Sequence, residues 1–409
     1  IRLEEQLDKI CKTLVKTDPL ANHKDASHLR TEGTCNWLST SQHWEEWLAA
    51  ATGKPRLLWL YAVLGGGKTI LALFMIEQVN KHVKSKEGTK SEAGTGNLYA
   101  SCFYYCHYSR NQDESVPFLL WVLNQLCRRA RSIPDILKKH YEQDPDVEPS
   151  IEQLLAWVEA VLVYFRDGRV YIVVDAVDES KKPWTDLLKV ITDLGTEPRF
   201  GNLSIAVTSR TEFDIQQKLK SVSVSLDIES FVKEDIRKHV DEKLKNDESF
   251  KAWPEELKKE VRNTVSPKAG GMFRYASCQL AILADCGGIT EVKKALVCLP
   301  VTLDETYDRI LANILKRDRQ AVIEAFAILM CHHGYWGLDT KSASLLVETI
   351  ATANHEQNGF FDRHSLVQAC GPLISINDQG NIAFAHYTVK EYLASSRLRE
   401  KTLDPVLTE

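Results

Sequence analysis

The sequence predicts an α/β fold: a doubly wound parallel sheet, followed by a helical domain and then a winged-helix domain. Apolar strand-like segments alternate with amphipathic helical segments between residues 57 and 209, which is typical of a parallel sheet covered by helices on both faces. From Val224 onward, helical periodicity dominates. Two short apolar segments then flank the turn-forming residues 377–380, and a hairpin that follows several helices is the pattern of a winged helix.

The segment ahead of the sheet, residues 1–54, is predicted to be helical at both ends. Apolar residues recur at helical spacing over residues 3–16, and a second helix is predicted from about Gln42 to Ala50. The first residue is Ile1 and no cleavable leader pattern follows it. We therefore expect the sequence to be part of a longer protein.

The first strand of the sheet leads into a glycine-rich loop. Leu57–Tyr61 predict a buried strand, Ile70–Val79 predict an amphipathic helix, and Gly65–Thr69 read Gly-Gly-Gly-Lys-Thr between them. Glycines let the backbone turn so that several N–H groups face phosphate oxygens, and the start of the following helix attracts the same charge. We therefore expect a nucleoside triphosphate here, with Lys68 at its β and γ phosphates and Thr69 on Mg²⁺.

This loop departs from the usual pattern, G-x-x-x-x-G-K-[ST], at one position. Its first residue is Ala62 where a glycine is usual, whereas Gly67, Lys68 and Thr69 are intact. A methyl group at this position strains the turn only if the backbone needs a positive φ. An ordinary loop before a helix is the alternative interpretation, and a second element has to decide between the two.

That second element is an acidic segment at the end of another strand. Val170–Val174 are five apolar residues without alternation, which indicates a central strand buried on both faces. Asp175 follows this strand and is expected to hold Mg²⁺ through water, while Asp178 or Glu179 is expected to polarise the attacking water. The alternative is a core strand followed by an acidic helix cap, which the glycine-rich loop makes the weaker interpretation.

A third strand ends in an arginine. Leu203–Val207 predict another buried strand, and Arg210 follows it. At the carboxyl edge of an open α/β sheet, this guanidinium is placed to sense a γ-phosphate. A surface arginine on a loop is the alternative. Residues 55–222 are accordingly predicted to form the nucleotide-binding domain.

Two further domains are predicted after the sheet, a helical domain over residues 223–300 and a winged-helix domain over residues 301–409. The predicted helices are Asp235–Leu244, Glu255–Val265, Met272–Leu283, Asp304–Leu315, Ala321–Cys331, Ser342–Thr352 and His364–Ala369. The predicted hairpin strands are Leu373–Ile376 and Ile382–Phe384. Winged helices often bind DNA, but this one has no concentrated Lys/Arg face, which favours a role within the protein.

Composition excludes several classes of function. The 409 residues have a formal charge of −5 and a pI near 6.2, so no broad basic field exists and no nucleic acid is expected as a partner. The ten cysteines are scattered, many of them in apolar segments, which favours a reducing, cytoplasmic location. No apolar run reaches the ~20 residues of a membrane span. Cys102, Cys106 and His107, like residues 331–333, lack a second ligand pair at zinc spacing.

Taken in order along the chain, these landmarks resemble the NACHT branch of the signal-transduction P-loop NTPases, and in particular the nucleotide-binding modules of fungal NOD-like receptors. The resemblance covers nearly the whole chain. It is carried by Asp18-Pro19 to His23 and Arg30–Leu38, the Lys68-Thr69 loop, Asp175–Glu179, Thr208–Arg210, Gly271–Phe273, Leu299-Pro300 through Tyr307, and His386–Leu393.

The resemblance implies a switch. In that family, a nucleotide domain, a helical domain and a winged helix close around ADP at rest, and exchange for triphosphate opens them for oligomerisation. It implies that His386 contacts the diphosphate, and that Arg30, Gly33, Thr34 and Trp37 lie near the purine, although Cys35 stands where a glycine is usual. A helix-start role is the alternative for His386.

The predicted site follows from the motifs and the resemblance together. Predicted catalytic residues are Asp178, Glu179 and Arg210; nucleotide-binding residues are Gly65, Gly66, Gly67, Lys68, Thr69, Ile70, His386, Arg30 and Thr34; metal-binding residues are Thr69 and Asp175. The predicted cofactors are Mg²⁺ with ATP or GTP, and ADP or GDP at rest. The sequence does not decide between the two purines.

The resemblance also implies partners. These are further copies of the chain after activation, an effector domain upstream and a repeat sensor downstream, in innate immunity or heterokaryon-incompatibility and cell-death signalling. A degenerate nucleotide-binding scaffold without turnover, acting as an interaction module, is the alternative. A transcriptional regulator that uses the winged helix is a third, which the acidic charge balance disfavours.

Overall fold

The computed structural model of the chain describes residues 2–50, 53–87, 98–143, 147–314, 318–332, 344–345, 347, 349, 363–376 and 381–395. The chain divides into two compact units. The first runs to Phe231 without two short segments, Leu64–Gly66 and Tyr108–Asn111, which group with the second unit from Val232 onward. The predicted domain boundaries at residues 54, 222 and 300 stay predictions.

A parallel sheet is the centre of the first unit. Its described strands are β1 (Leu57–Tyr61), β2 (Ala100–Tyr105), β3 (Val170–Asp175), β4 (Leu203–Ser209) and β5 (Val224–Asp227). They lie in the order β2-β3-β4-β1-β5, and every neighbouring pair is parallel. The strand that leads into the glycine-rich loop therefore lies inside the sheet, with β4 between it and the strand that ends in Asp175.

Helices cover both faces of this sheet. Those of the first unit are α1 (Arg2–Thr13), α2 (Pro19–Leu29), α3 (Gln42–Leu48), α4 (Lys68–Glu87), α5 (Ser115–Ala130), α6 (Asp135–Gln143), α7 (Ile151–Leu162), α8 (Thr185–Thr196) and α9 (Phe213–Leu219). The crossover from β1 to β2 leads towards the β2 edge of the sheet. The crossovers from β2 to β3 and from β3 to β4 lead in the opposite direction. Because such crossovers are right-handed, α4 covers one face while α5, α7 and α8 cover the other. The predicted doubly wound parallel sheet is confirmed.

Every second residue of the central strands contributes to the core on the face that α5, α7 and α8 cover. Trp59, Ile172 and Ile205 are buried in one cluster with Phe118 of α5 and Leu187 of α8. Full burial of each such side chain contributes roughly 1.5–3 kcal/mol. The sheet is thereby held as a rigid platform, and the carboxyl ends of its strands are fixed relative to one another.

The second unit is helical and contains a hairpin. Its described helices are α10 (Val232–Asn246), α11 (Glu255–Lys268), α12 (Phe273–Ala284), α13 (Ile289–Val297), α14 (Leu303–Asn313), α15 (Arg319–His332), α16 (Arg363–Cys370) and α17 (Tyr387–Ala394). Strands β6 (Ile374–Ile376) and β7 (Ile382–Phe384) pair antiparallel. The predicted turn at 377–380 and most of the predicted helix Ser342–Thr352 lie outside the described residues, and the winged helix stays a prediction.

The structure differs from the sequence-based expectations in several places, and helices α2 and α13 are among the elements for which no bounds were predicted. Strand β5 was not predicted, because its four residues are only half-buried to exposed and show no long apolar run. Residues 84–97 are rich in Lys, Ser, Gly and Thr, a composition that predicts a surface loop from Lys84 onward. This prediction is wrong at its start, since α4 continues to Glu87 through residues with adequate helix propensity. None of the described helices is long and apolar enough to span a bilayer.

Candidate nucleotide-binding site

The glycine-rich loop uses its glycines where the backbone requires them. Gly65 and Gly67 have φ of 68° and 83°, the left-handed region that glycine adopts without steric cost. Ala62 is not among the residues with positive φ. Its N–H donates to the carbonyl of Ser209 at 3.2 Å, so it extends the ladder between β1 and β4. The methyl group of Ala62 therefore imposes no strain on the turn.

Helix α4 begins at Lys68 and brings the loop's polar residues to the end of β3. Thr69 is exposed and near enough to Asp175 for its hydroxyl to lower the pKa of that carboxyl, and the charge of Lys68 acts on the same carboxylate. Burial nevertheless raises the pKa of Asp175 from 3.8 to about 6, against the lowering effect of its hydrogen bonds and of Lys68. The structure thus brings together the lysine predicted to bind phosphate and both predicted metal ligands.

Strand pairing positions Asp175. β3 lies beside β4 in parallel register, and the hydroxyl of Thr208 donates to Oδ1 of Asp175 at 2.6 Å. The same hydroxyl accepts the N–H of Ala176 at 2.9 Å. Ala176 has a φ of 54°, an arrangement that costs a non-glycine residue about 1–3 kcal/mol and that clusters at functional sites. Sequence reasoning gave Thr208 no role, although its place at the end of β4 was a usable signal.

Two predicted catalytic residues bind each other. Oδ2 of Asp178 lies 2.9 Å from Nε of Arg210, and Oδ1 accepts the backbone N–H of Arg210 at 3.0 Å. Both side chains are largely buried, with 3% of Asp178 and 16% of Arg210 exposed. Glu179 lies in the same short helical turn, and its N–H donates to the carbonyl of Ala176. The arginine predicted to sense a γ-phosphate is therefore held by a carboxylate in this arrangement.

A tyrosine from β2 borders the same edge of the sheet. Tyr105 lies opposite Asp175 in register, and its hydroxyl contacts Nδ1 of His23 at 3.0 Å. The pKa of Tyr105 is raised by burial first, and then by the negative charges of Asp175 and Glu77. Burial also lowers the pKa of His23, so a neutral imidazole is favoured there. Helix α2 is thus fastened beside the predicted metal ligand.

The residues ahead of the sheet have local partners. Arg30 forms an ion pair with Glu77 of α4, and its guanidinium lies 4.9 Å from the ring centre of Phe74. Thr34 is buried, and its hydroxyl donates to the carbonyl of Thr31 at 2.7 Å. Their contact with a purine stays a prediction.

Gly33 and Trp37 complete this segment. Gly33 has a φ of 78°, so glycine suits the turn. Trp37 stacks on Phe231 with ring centres 4.5 Å apart. The segment is therefore ordered by contacts within the first unit.

His386 belongs to the second unit and stands at the start of α17. Its Nδ1 accepts the N–H of Thr388 at 3.2 Å and lies 2.9 Å from the hydroxyl of the same residue. This is an N-cap contact, in which a side chain satisfies an otherwise unpaired amide of the first helical turn. The helix-start role is observed, and a contact with diphosphate stays a prediction.

The donor set fits magnesium. Mg²⁺ takes oxygen ligands, usually one or two from the protein with the rest from phosphates and water. Thr69 supplies an exposed hydroxyl, and Asp175 supplies a buried carboxylate whose charge is favoured by a cation beside it. Among the described residues, no group of three or more His, Cys, Asp or Glu side chains could hold a metal ion. Mg²⁺ at Thr69 and Asp175 would therefore take its other ligands from phosphates and water.

Comparison with known proteins adds a family model and a set of solved structures. The model of the nephrocystin 3 N-terminal region matches residues 33–210, a range that includes the glycine-rich loop, Asp175 and Arg210. This match covers less than half of the 409 residues. No curated protein matches the sequence.

Solved structures resemble the chain at a distance. Cdc6p of Pyrobaculum aerophilum is 12% identical with a TM-score of 0.40, over 92% of this chain and 96% of that one. A Walker-type ATPase of Pyrococcus abyssi is 11% identical with a TM-score of 0.38, over 86% and 94%. The ORC1 protein of Aeropyrum pernix, in complex with DNA, is 14% identical with a TM-score of 0.36, over 90% and 97%. Identities and TM-scores this low support no functional conclusion for this chain.

Proposed function

We propose that this chain is a nucleotide-dependent switch that binds ATP or GTP with Mg²⁺ and hydrolyses it slowly. One observation carries the proposal: the start of α4 places Lys68 and Thr69 at the buried carboxylate of Asp175. A cation, a hydroxyl and a carboxylate in this arrangement suit a Mg²⁺–triphosphate complex. Ordinary loops before helices need no desolvated acid at this position.

The binding chemistry follows from the chain's own groups. Backbone N–H groups of Gly65–Gly67 and the start of α4, with Ile70 in its first turn, attract the phosphates. Lys68 neutralises the β and γ phosphates, and Thr69 and Asp175 hold Mg²⁺, which shields the charge that develops on the phosphates. Glu179 is available to orient the attacking water.

The ion pair of Arg210 with Asp178 gives the proposed switch its two states. In the second state, the guanidinium of Arg210 exchanges Asp178 for the γ-phosphate, and Asp178 is then released to accept a proton from water. If Arg210 on triphosphate and His386 on diphosphate each contribute ~1.5–3 kcal/mol, the ratio of the two states shifts by about 10²–10⁴.

The finer proposal follows the resemblance to NACHT proteins. We propose an ADP-bound closed resting state and a triphosphate-bound state that oligomerises, in a cytoplasmic receptor with an upstream effector domain and a downstream repeat sensor. Innate immunity or cell-death signalling is the corresponding process. Free cysteines, most of them buried among the described residues, are compatible with a reducing compartment.

A second candidate is a nucleotide-binding scaffold without turnover. The specific observation in its favour is that Asp178 and Arg210 satisfy each other. A buried pair of this kind also serves as a purely structural link between the ends of β3 and β4. Phosphate release from the wild-type chain separates the two candidates, because the scaffold binds triphosphate without producing diphosphate.

Titration calorimetry with ADP and with a non-hydrolysable ATP analogue tests the function itself. The Lys68→Ala variant is expected to lose about 10- to 150-fold in affinity, the equivalent of one charge-assisted contact. Lys84→Ala, on an exposed position of the same helix, is the matched control and is expected to bind like the wild type. Equal affinities of the two variants, or no binding by the folded wild type at millimolar nucleotide with Mg²⁺, would overturn the proposal.

A further inference from the structure

An arginine outside the predicted site contacts the backbone of the glycine-rich loop. Arg274 is the second residue of α12, so its backbone N–H has no acceptor within the helix. This N–H donates to the carbonyl of Gly65 at 3.4 Å. A Cβ added to Gly65 would lie 2.9 Å from Cβ of Arg274. Glycine is therefore required at position 65 both for its positive φ and for the approach of Arg274.

The guanidinium of Arg274 extends from the loop to two later segments. Its Nε donates to the hydroxyl of Tyr307 on α14 at 3.4 Å, and its Nη2 donates to the carbonyl of Pro372. Both described partners are neutral. The planar fork of an arginine can hold two acceptors in fixed directions, which a lysine cannot. The contacts thus suit a geometric role better than charge neutralisation.

The contacts continue from Tyr307 to the start of α17. Tyr307 is fully buried, and its hydroxyl shares a hydrogen bond with the hydroxyl of Thr388, which is 2% exposed. The Thr388 hydroxyl lies 2.9 Å from Nδ1 of His386. Gly65, Arg274, Tyr307, Thr388 and His386 therefore form one continuous polar chain, which we call the Arg274 relay. All five residues belong to the second unit.

Peptide geometry connects this relay to phosphate binding. The carbonyl oxygen of Gly65 and the N–H of Gly66 belong to one planar, trans peptide unit, so they point in opposite directions. A hydrogen bond that fixes the carbonyl on one side fixes the direction of the Gly66 N–H on the other. That N–H is one of the backbone donors that a phosphate-binding loop presents to its ligand.

We propose that Arg274 is a positioning residue for the glycine-rich loop, and that Tyr307 and Thr388 couple its position to helix α17. The proposal rests on the proposed function, because it assigns to the relay the control of how tightly the loop holds a nucleotide. A change at the start of α17 then alters the retention of nucleotide without any residue of α17 having to bind the phosphates.

Release of a fluorescent ADP analogue from the 409-residue chain, followed by stopped flow, tests the coupling. Tyr307→Phe removes the one hydroxyl that joins Arg274 to Thr388, and release is expected to become about 3- to 10-fold faster, as for a lost neutral hydrogen bond. Tyr392→Phe is the matched control, since it keeps the ring that lies 5.3 Å from that of Tyr307 and removes a hydroxyl that donates to Asp308. Release from the control is expected to stay within about twofold of the wild type.

Arg274→Lys and Arg274→Met separate geometry from charge. Under the proposal both variants release ADP about equally fast, because a lysine ammonium cannot span Tyr307 and Pro372. Rescue by lysine would show instead that Arg274 acts as a charge on the phosphates. Equal release rates for Tyr307→Phe and Tyr392→Phe would refute the coupling.

Hydrogen exchange of the ligand-free chain keeps this test independent of the function. The amides of Gly66 and Gly67 are expected to exchange faster in Arg274→Met and Tyr307→Phe than in the wild type and Tyr392→Phe. Failure of the wild type to bind nucleotide defeats the proposed function and leaves this measurement valid. Unchanged exchange at both amides in a chain that binds nucleotide defeats the relay alone.

Discussion

The carboxyl edge of the sheet and the segment ahead of the sheet were both predicted to hold nucleotide, and they are built differently. At the carboxyl edge, predicted residues meet one another: Thr69 lies near Asp175, and Arg210 forms an ion pair with Asp178. In the segment ahead of the sheet, Arg30 bonds to Glu77 of α4 and Thr34 bonds within its own turn. The first location holds a buried carboxylate whose charge is unfavourable there, whereas the second is held by a partly exposed ion pair and a backbone hydrogen bond.

This difference supports the proposal that the carboxyl edge is the site that binds a ligand. Burial raises the pKa of Asp175 although Thr208, Thr69 and Lys68 all act to lower it. The folded chain thus keeps a carboxylate where water is excluded, and a bound cation offsets that cost. The ion pair of Arg30 with Glu77, by contrast, joins opposite charges at a partly exposed position. The predictions below test this contrast.

Asp175→Asn is expected to have the largest effect. It weakens nucleotide binding and stabilises the ligand-free chain. Loss of a charged metal ligand is expected to weaken Mg²⁺-dependent nucleotide binding by about 10- to 100-fold. At pH 7.5 the ligand-free variant is expected to be more stable than the wild type by about 1–3 kcal/mol, because the amide carries no buried charge and still accepts from Thr208. Calorimetric titration and urea unfolding measure the two effects.

The pH dependence of the free energy of unfolding shows whether Asp175 stabilises or destabilises the wild-type chain. Folded Asp175 keeps its proton up to a pH of about 6, whereas the unfolded chain loses it near 3.8. The free energy of unfolding contributed by Asp175 therefore falls as the pH rises through this window and stays at its lowest above it. Asp175→Asn is expected to remove this slope, whereas Asp167→Asn, at an exposed position ahead of β3, keeps it. The same slope in all three proteins would contradict the assignment to Asp175.

Arg30→Met is expected to have a smaller effect, on stability and not on binding. The ion pair with Glu77 is partly exposed, with 18% and 40% of the side chains accessible, so its loss with the Phe74 contact is expected to cost about 0.5–1.5 kcal/mol. Nucleotide affinity is expected to change by less than about threefold. Urea unfolding and calorimetric titration of the same preparation measure both quantities.

The Glu77→Gln variant completes a double-mutant cycle with Arg30→Met. The two substitutions are expected to be less than additive in the free energy of unfolding, because each removes the same ion pair. A tenfold loss of nucleotide affinity in Arg30→Met, with unchanged stability, would instead place Arg30 at the nucleotide and remove the contrast between the two regions.

Sequence patterns predicted β1, β3 and β4 and the convergence of their carboxyl ends, because parallel strands bring their carboxyl ends together whatever the intervening length. Asp175 and Lys68 could therefore be placed near each other across more than a hundred residues. The partners of individual side chains could not be predicted in this way. That Asp178 binds Arg210, or that Thr208 orients Asp175, depends on strand register and side-chain direction, which no single-sequence pattern contains.

The contacts of Arg274 were even harder to predict from the sequence. They depend on α12 beginning beside Gly65, and on Tyr307, Pro372 and Thr388 lying at separations set only by the packing of the second unit. The roles carried over from the family resemblance to Arg30 and Thr34 had no such physical requirement behind them. They are the part of the predicted site on which the structure places other contacts.

Ala62→Gly is expected to have the smallest effect, and it tests the one departure of the loop from its usual pattern. Ala62 has no positive φ and extends the ladder of β1, so a glycine there gains no conformational freedom that the turn requires. Affinity for ADP is expected to stay within about twofold of the wild type, while the free energy of unfolding falls by about 0.5–1 kcal/mol because glycine has more freedom in the unfolded chain. Gly65→Ala is the opposite control, since φ and the approach of Arg274 both exclude a methyl group there. A tenfold gain in affinity for Ala62→Gly would mean that the loop adopts a different backbone when it holds phosphate. The contrast between the carboxyl edge and the segment ahead of the sheet would then have to be drawn for the bound form.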